Sequence, residues 1–305
     1  MTIRVGAQRT GTLAWELAAA KARGFAEAEG LDISVSWFAS PDAGRIALLG
    51  GAVDVILGDW LWAARERALG EPLQFYPTSA ALGGVMVREE SGFRSLADLS
   101  GKTLGVAGGP IDKSWLLLQA YARREGLDLK RTVRPVFGAP ALLYEKTLAG
   151  ELDASLAFWT YAARLEAKGF RTLVGLEAAE RRLGAQGPVA LIGFLFRESF
   201  ARTQGETLAR FLTVIARARE ALAGEAPQDW AAIGRELGIS DPQELALFRR
   251  RYIEGFARRP VAEEEADARN FYAILREVGG AELVGPATAL EPGLFYRGAP
   301  ASGGR

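Results

Sequence analysis

Short apolar bursts alternate with stretches whose apolar residues recur every three or four positions, a pattern that predicts strands and helices in turn. Residues 3–5 are a brief apolar run. In the helical stretch after them, Leu13, Leu17, Ala18, Lys21 and Phe25 recur at helical spacing, and Gly30 stands where a left-handed residue ends a helix. Residues 32–37 alternate polar and apolar, as a strand with one exposed face does. Ser40 and Pro41 supply an N-cap and a first-turn proline to a helix that ends at Gly50 and Gly51. The unbroken apolar run 53–57 reads as a parallel strand covered on both faces.

The same order returns once. Thr2-Ile3-Arg4-Val5-Gly6-Ala7 has a counterpart in Thr103-Leu104-Gly105-Val106-Ala107-Gly108, and Glu29-Gly30-Leu31-Asp32 in Glu125-Gly126-Leu127-Asp128. Gly51-Ala52-Val53-Asp54 answers Gly150-Glu151-Leu152-Asp153, and six residues further on Trp60 answers Trp159. The three matches keep one order and a nearly constant separation, so the chain carries an internal duplication. The second copy predicts strands at 104–106, 133–136 and 154–158 and helices at 115–125 and 140–149. Further strands are expected at 72–76, 84–88 and 189–196, and helices at 206–222, 229–237, 244–254 and 262–278.

Alternating strands and helices imply the α/β class: two similar lobes, each a mainly parallel sheet flanked by helices. With the second copy nested inside the first, two crossovers are expected, near 83–95 and 187–196. Lobe one is then 1–86 with 195–292, lobe two is 87–194, and the glycine-rich 293–305 is expected to be a disordered tail.

Composition narrows the chemistry. At 305 residues and 49% hydrophobic, the chain can bury two cores; 37 basic residues balance 37 acidic ones, which leaves no field for a nucleic-acid backbone. There is no histidine and no cysteine. That removes disulfides, thiolate nucleophiles, Ser-His-Asp triads and the usual zinc sites. No cofactor, no metal and no catalytic residue is expected, and the chain reads as a non-enzyme acting as a monomer. The chain opens directly on a strand with no leader-like segment. Two expectations follow: a cytoplasmic protein, or a mature form whose leader Met1 replaces.

In open parallel sheets, ligands bind beyond the carboxyl ends of the strands. That rule selects Gln8, Arg9 and Thr10 after the first strand, Ser40 after the second, Asp59 and Trp60 after the third, and Ser79. In the second copy it selects Gly108, Gly109, Asp112, Lys113, Ser114 and Trp115, then Trp159 and Tyr161. Two glycines let a ligand approach the backbone, and arginine offers a two-pronged anion donor. Indoles give flat apolar walls. Each has a plainer reading as well: Asp59, Asp112 and Ser114 as helix caps, the aromatics as core. Facing lobes would bring Trp60 and Trp159 towards one cleft.

Two segments resemble the nitrate/sulfonate/taurine-type solute-binding proteins of ABC importers, a branch of the type II periplasmic-binding fold. One is Ala47-Leu48-Leu49-Gly50-Gly51-Ala52-Val53-Asp54, similar to that family's A-L-x-x-G-x-x-D. The other is Ser95-Leu96-Ala97-Asp98-Leu99-Ser100-Gly101-Lys102-Thr103-Leu104-Gly105-Val106, similar to its S-x-x-D-L-x-G-K entry into lobe two. The resemblance implies a small-molecule solute held between lobes by hinge closure, a membrane permease with its ATPase as partner, and the periplasm as location. Enzymes share this fold. Its thiamine-pyrimidine synthases consume a histidine and its sulfinate-releasing members use a cysteine, both absent here. Enzymes of menaquinone biosynthesis, or a ligand sensor, remain the alternatives.

Overall fold

The computed structural model describes residues 1–9, 11–110 and 112–298. The first copy runs β1 (Thr2–Gln8), α1 (Thr12–Ala22), α2 (Phe25–Ala28), β2 (Asp32–Phe38), α3 (Pro41–Leu49), β3 (Val55–Asp59), α4 (Trp60–Ala68) and β4 (Leu73–Ser79). After β5 (Gly84–Arg88) the second runs β6 (Thr103–Ala107), α5 (Lys113–Arg124), α6 (Leu129–Thr132), β7 (Arg134–Gly138), α7 (Pro140–Leu148), β8 (Ala154–Ala157), α8 (Trp159–Ala167) and β9 (Phe170–Gly175). Then come α9 (Leu176–Arg182), β10 (Ile192–Arg197), α10 (Glu198–Thr203), α11 (Gly205–Ala223), α12 (Pro227–Leu237), α13 (Pro242–Glu254) and α14 (Val261–Val284).

The elements form two five-stranded sheets, in the orders β2-β1-β3-β10-β4 and β7-β6-β8-β5-β9. In the first, β1 is parallel to β2 and β3, and β10 runs antiparallel to β3. In the second, β6 is parallel to β7 and β8, and β5 is antiparallel to β8 and β9. Position for position the two orders are the same. Each sheet takes one antiparallel strand from outside its own repeat.

The repeated residues have repeated jobs. Gly30 and Gly126 sit at φ +61° and +79°, a left-handed conformation that ends the preceding helix and that a side chain would strain. The carboxylate of Asp54 accepts from the backbone N–H of Arg4 at 2.8 Å, and that of Asp153 accepts from the N–H of Thr103 at 2.8 Å. In each copy the Gly-x-x-Asp segment therefore clasps the first strand of the repeat, β1 or β6. In the segment Ser95–Asp98, Asp98 accepts from the N–H groups of Arg94 and Ser95 at 2.7 and 2.8 Å, closing a capping box. Those bonds hold its carboxyl below the ordinary carboxylate pKa.

Contacts divide the chain into one unit of Met1–Thr78, Leu191–Ser240 and the segment from Glu291 onward, and another of Ser79–Ala190 and Asp241–Leu290. Besides a shift of residues 191–194 from lobe two into the first unit, this partition differs from the expected one in three places. Strand β5 belongs wholly to the second sheet. Helices α13 and α14, placed in lobe one by their position in the chain, pack in the second unit against α8 and α5. Apolar periodicity shows which helix face is buried, not which sheet it covers.

The third difference is the tail. Leu294 is fully buried and Phe295 nearly so. The N–H of Phe75 donates to the carbonyl of Leu294 at 2.7 Å, and the N–H of Tyr296 to that of Phe75 at 2.9 Å. The Phe295 ring packs edge-on against Phe75 at 5.2 Å. Expected disorder at 293–298 is corrected here: three consecutive apolar residues outweigh the glycines that flank them. Residues 299–305 lie outside the described residues.

Candidate functional site

In the first unit, parallel β1, β2 and β3 end together at Gln8, Phe38 and Asp59, with antiparallel β10 entering beside Asp59 at Ile192. Arg9 follows β1, exposed, with its guanidinium over the Trp37 ring at 5.4 Å. It has no carboxylate partner among the described residues. Helix α1 begins just beyond, at the N-cap Gly11, with no side-chain cap and no acid in its first turn. Its leading N–H groups and dipole therefore add to the positive end left by Arg9. Gln8 is half-buried at the strand end; Thr10 lies outside the described residues.

Other expected contacts on this edge are engaged in the fold. Ser40 Oγ accepts from the N–H of Ala43 at 3.3 Å, capping α3. Ser79 Oγ accepts from the N–H of Ala81 at 3.2 Å. Asp59 caps α4 through the N–H of Trp62 at 2.9 Å and binds Arg45 at 2.9 Å. Arg45 also meets Asp42 at 3.1 Å and lies over Trp62 at 5.1 Å. Sequence reasoning did not select Arg45 or Trp37; their positions one turn into α3 and near the end of β2 were the available signal.

Trp60 departs most from expectation. It is 0% exposed and its ring lies 6.3 Å from Phe295, so the residue belongs to the core of the first unit.

In the second unit, β6, β7 and β8 end at Ala107, Gly138 and Ala157, and Gly84 and Gly175 stand at the same edge through their pairing with β8 and with each other. Gly108, at φ +89°, donates its N–H to the Gly138 carbonyl at 3.0 Å. Gly109 is half-buried, and among the described residues a Cβ on it would meet nothing within 4 Å. Asp112 caps α5 by accepting from the N–H of Ser114 at 2.8 Å. Lys113 Nζ lies 5.9 Å from the centre of the Phe158 ring. Ser114 and Trp115 are buried, the indole edge-on to Phe137 at 6.1 Å, which assigns Trp115 to the core.

Trp159 is half-buried, with its ring 4.9 Å from Phe248 of α13. Tyr161 packs on Tyr144 at 5.6 Å. Trp159 lines a cavity of about 160 Å³ together with Leu82, Gly83, Ala162 and Leu176. A larger cavity of about 850 Å³ lies along α1 and β2 in the first unit, but no residue selected from the sequence lines it.

Two buried carboxyls are held above the ordinary range, away from these edges. Burial raises Glu180 well above it, opposed by a bond from the N–H of Val189. Burial likewise raises Glu264, opposed by the N–H of Ala190 at 2.8 Å. Among the described residues no group of three acidic side chains could hold a metal, and no helix is long and apolar enough to cross a membrane.

The family model described as NMT1/THI5 like matches residues 15–229. No curated protein matches. Among solved structures, the chain is similar to the alkanesulfonate-binding protein SsuA of Xanthomonas axonopodis bound to MOPS. Identity is 19%, with 97% of this chain and 98% of that one covered and a TM-score of 0.70. For the periplasmic aliphatic sulphonate binding protein SsuA of Escherichia coli the identity is 19%, the coverage 93% and 98%, and the TM-score 0.71. The desulfurization enzyme DSZB is similar at 16% identity, with 94% and 97% covered and a TM-score of 0.58. Binding proteins and an enzyme thus share this fold.

Proposed function

We propose that this chain, which belongs to the NMT1/THI5-like family, is a solute-binding protein that captures a small organic ligand for delivery to an ABC importer. The observation that carries the reading is the pair of sheets with one strand order, each ending its parallel strands on an edge of loops and helix starts. Such edges offer backbone N–H groups and a few side chains to a small molecule. Two of them on one chain suit capture by closure, which excludes water from the bound molecule and strengthens the polar contacts to it. The membrane permease with its ATPase is the partner, and the periplasm the place of work.

The ligand carries an anionic group, and a sulfonate is the first candidate. Among the described residues Arg9 stands without a carboxylate, beside the uncapped start of α1, where an anion completes both. Two of the similar structures carry alkanesulfonate and aliphatic sulphonate in their names. An enzyme on this fold would need Asp59, Asp112 or Lys113 as acid or base. The two aspartates instead cap helices, and Asp59 is further neutralised by Arg45. Calorimetric titration of methanesulfonate into the protein and into its Arg9→Ala variant tests the reading. Saturable binding that the variant loses supports it, and equal binding by both removes Arg9 from the site.

A further inference from the structure

The two sheets have four edge strands, β2 and β4 in the first and β7 and β9 in the second. An edge strand offers a row of unpaired N–H and C=O groups to any other strand, and folds block that pairing with prolines, bulges or covering segments. Three of the four edges carry such a device. The segment 294–296 covers β4 through its bonds to Phe75. Strand β7 has Pro135 as its second residue; the N–H of Arg134 points inward to the Lys102 carbonyl, so the proline replaces an outward-facing donor. Strand β9 is bulged, its register with β5 shifting between Thr172 and Val174.

Strand β2 has none of these. Its seven residues pair with β1 without a break and include no proline, lysine or arginine. Among the described residues no strand pairs with its other side. The N–H of Asp32 donates inward to the Met1 carbonyl, so by alternation Ile33, Val35 and Trp37 turn their backbone groups to the open side. Their side chains share one face and line the cavity of about 850 Å³ with Ala14 and Ala18 of α1. Trp37 is 41% exposed.

We infer that β2 is a self-association edge: two copies of the chain pair their β2 strands antiparallel about a two-fold axis at Val35, joining their first sheets. The sequence is self-complementary in that register. Val35 faces the partner's Val35, and Ile33 faces the partner's Trp37, a β-branched residue against an aromatic. These positions have outward-facing backbone groups, so each facing pair exchanges two hydrogen bonds, about six in all. On the opposite face Ser34 meets the partner's Ser36 and Asp32 the partner's Phe38, so no like charges are opposed. The incoming apolar side chains lie on the α1 face, where the cavity beside β2 has room for them. Such a pair is isologous and closes on itself, which uses up both bare edges and stops further growth. It replaces the monomer expected of the sequence, and it involves the first unit alone.

Light scattering across a dilution series and a cysteine cross-link test the pairing. The parent is expected to show twice the mass of one chain at the upper end of the series and to dissociate on dilution. Ile33→Pro copies the device of β7, since Ile33 lies beside Ile3 as Pro135 lies beside Leu104. It is expected to give the mass of one chain throughout while keeping the bonds to β1. Because the chain has no cysteine, Val35→Cys is expected to form a disulfide-linked dimer under mild oxidation, and Phe137→Cys, at the matching place on β7, is not. The mass of one chain for the parent at every concentration overturns the inference. So does a dimer that survives Ile33→Pro, or a Val35→Cys chain that cross-links no faster than Phe137→Cys. Should the proline variant fail to fold, the two cysteine variants decide alone.

Discussion

Phe295 covers Trp60, with ring centres 6.3 Å apart, although about three quarters of the chain separates the two. The last described segment thereby closes the core of the first unit and removes from solvent the indole that the duplication pairs with Trp159. Phe295→Ala should cost about 3–5 kcal/mol of stability, the usual loss for a buried phenylalanine. It should also shift tryptophan emission to the red. Denaturant unfolding with emission spectra checks both, and a variant as stable as the parent would return 293–298 to the status of a loose tail.

The two tryptophans should separate in stability. Trp60→Ala should cost about 3–5 kcal/mol of folding stability while the molecules that remain folded keep their affinity. Trp159→Ala, at a half-buried ring, should cost less. Unfolding curves give the two costs side by side, and titration of the Trp60→Ala sample gives its affinity.

Arg9 should act through charge. Arg9→Ala should lower methanesulfonate affinity by about 1.5–3 kcal/mol, the range of a charged hydrogen bond, and Arg9→Lys should recover part of it. Raising the salt concentration should weaken binding to the parent more than to Arg9→Ala.

Glu180 and Glu264 make stability depend on pH in an unusual direction. Burial holds their protons on in the folded protein at pH values where the unfolded chain has released them. Within that window the folded state binds more protons, so raising the pH lowers stability. Their contribution is complete below the ordinary glutamate pKa and is lost as pH rises towards the raised folded values. Melting temperature should therefore fall as the pH is raised above the ordinary glutamate pKa, and Glu180→Gln should flatten the fall. An unchanged slope in the variant would show that the proton sits elsewhere.

Much of this was legible in the sequence because it is local. The Gly-x-x-Asp clasp and the left-handed Gly30 and Gly126 are contacts within or between neighbouring elements, and the duplication prints both twice; the Ser95–Asp98 segment stands once but is equally local. The strand-end rule selected Arg9 and Gly109, of which the first is exposed and the second half-buried. What was not legible is what distant residues do to these positions. Nothing near Trp60 announces Phe295, and nothing near Trp159 announces Phe248. Strand β9 and helix α9 escaped because Phe170–Gly175 mixes polar and apolar residues without a clear period. The partners of α13 and α14 escaped because an amphipathic face fits either sheet until tertiary packing chooses.

The central claim is that the protein holds an organic sulfonate and returns it unaltered. Its most direct test is titration with benzenesulfonate, followed by mass spectrometry of the molecule released from the saturated complex. Saturable one-to-one binding, a raised melting temperature and recovery of intact benzenesulfonate are the predicted result. No saturable binding would contradict the account. So would an altered molecule formed at a rate that is lost when Asp59, Asp112 or Lys113 is replaced.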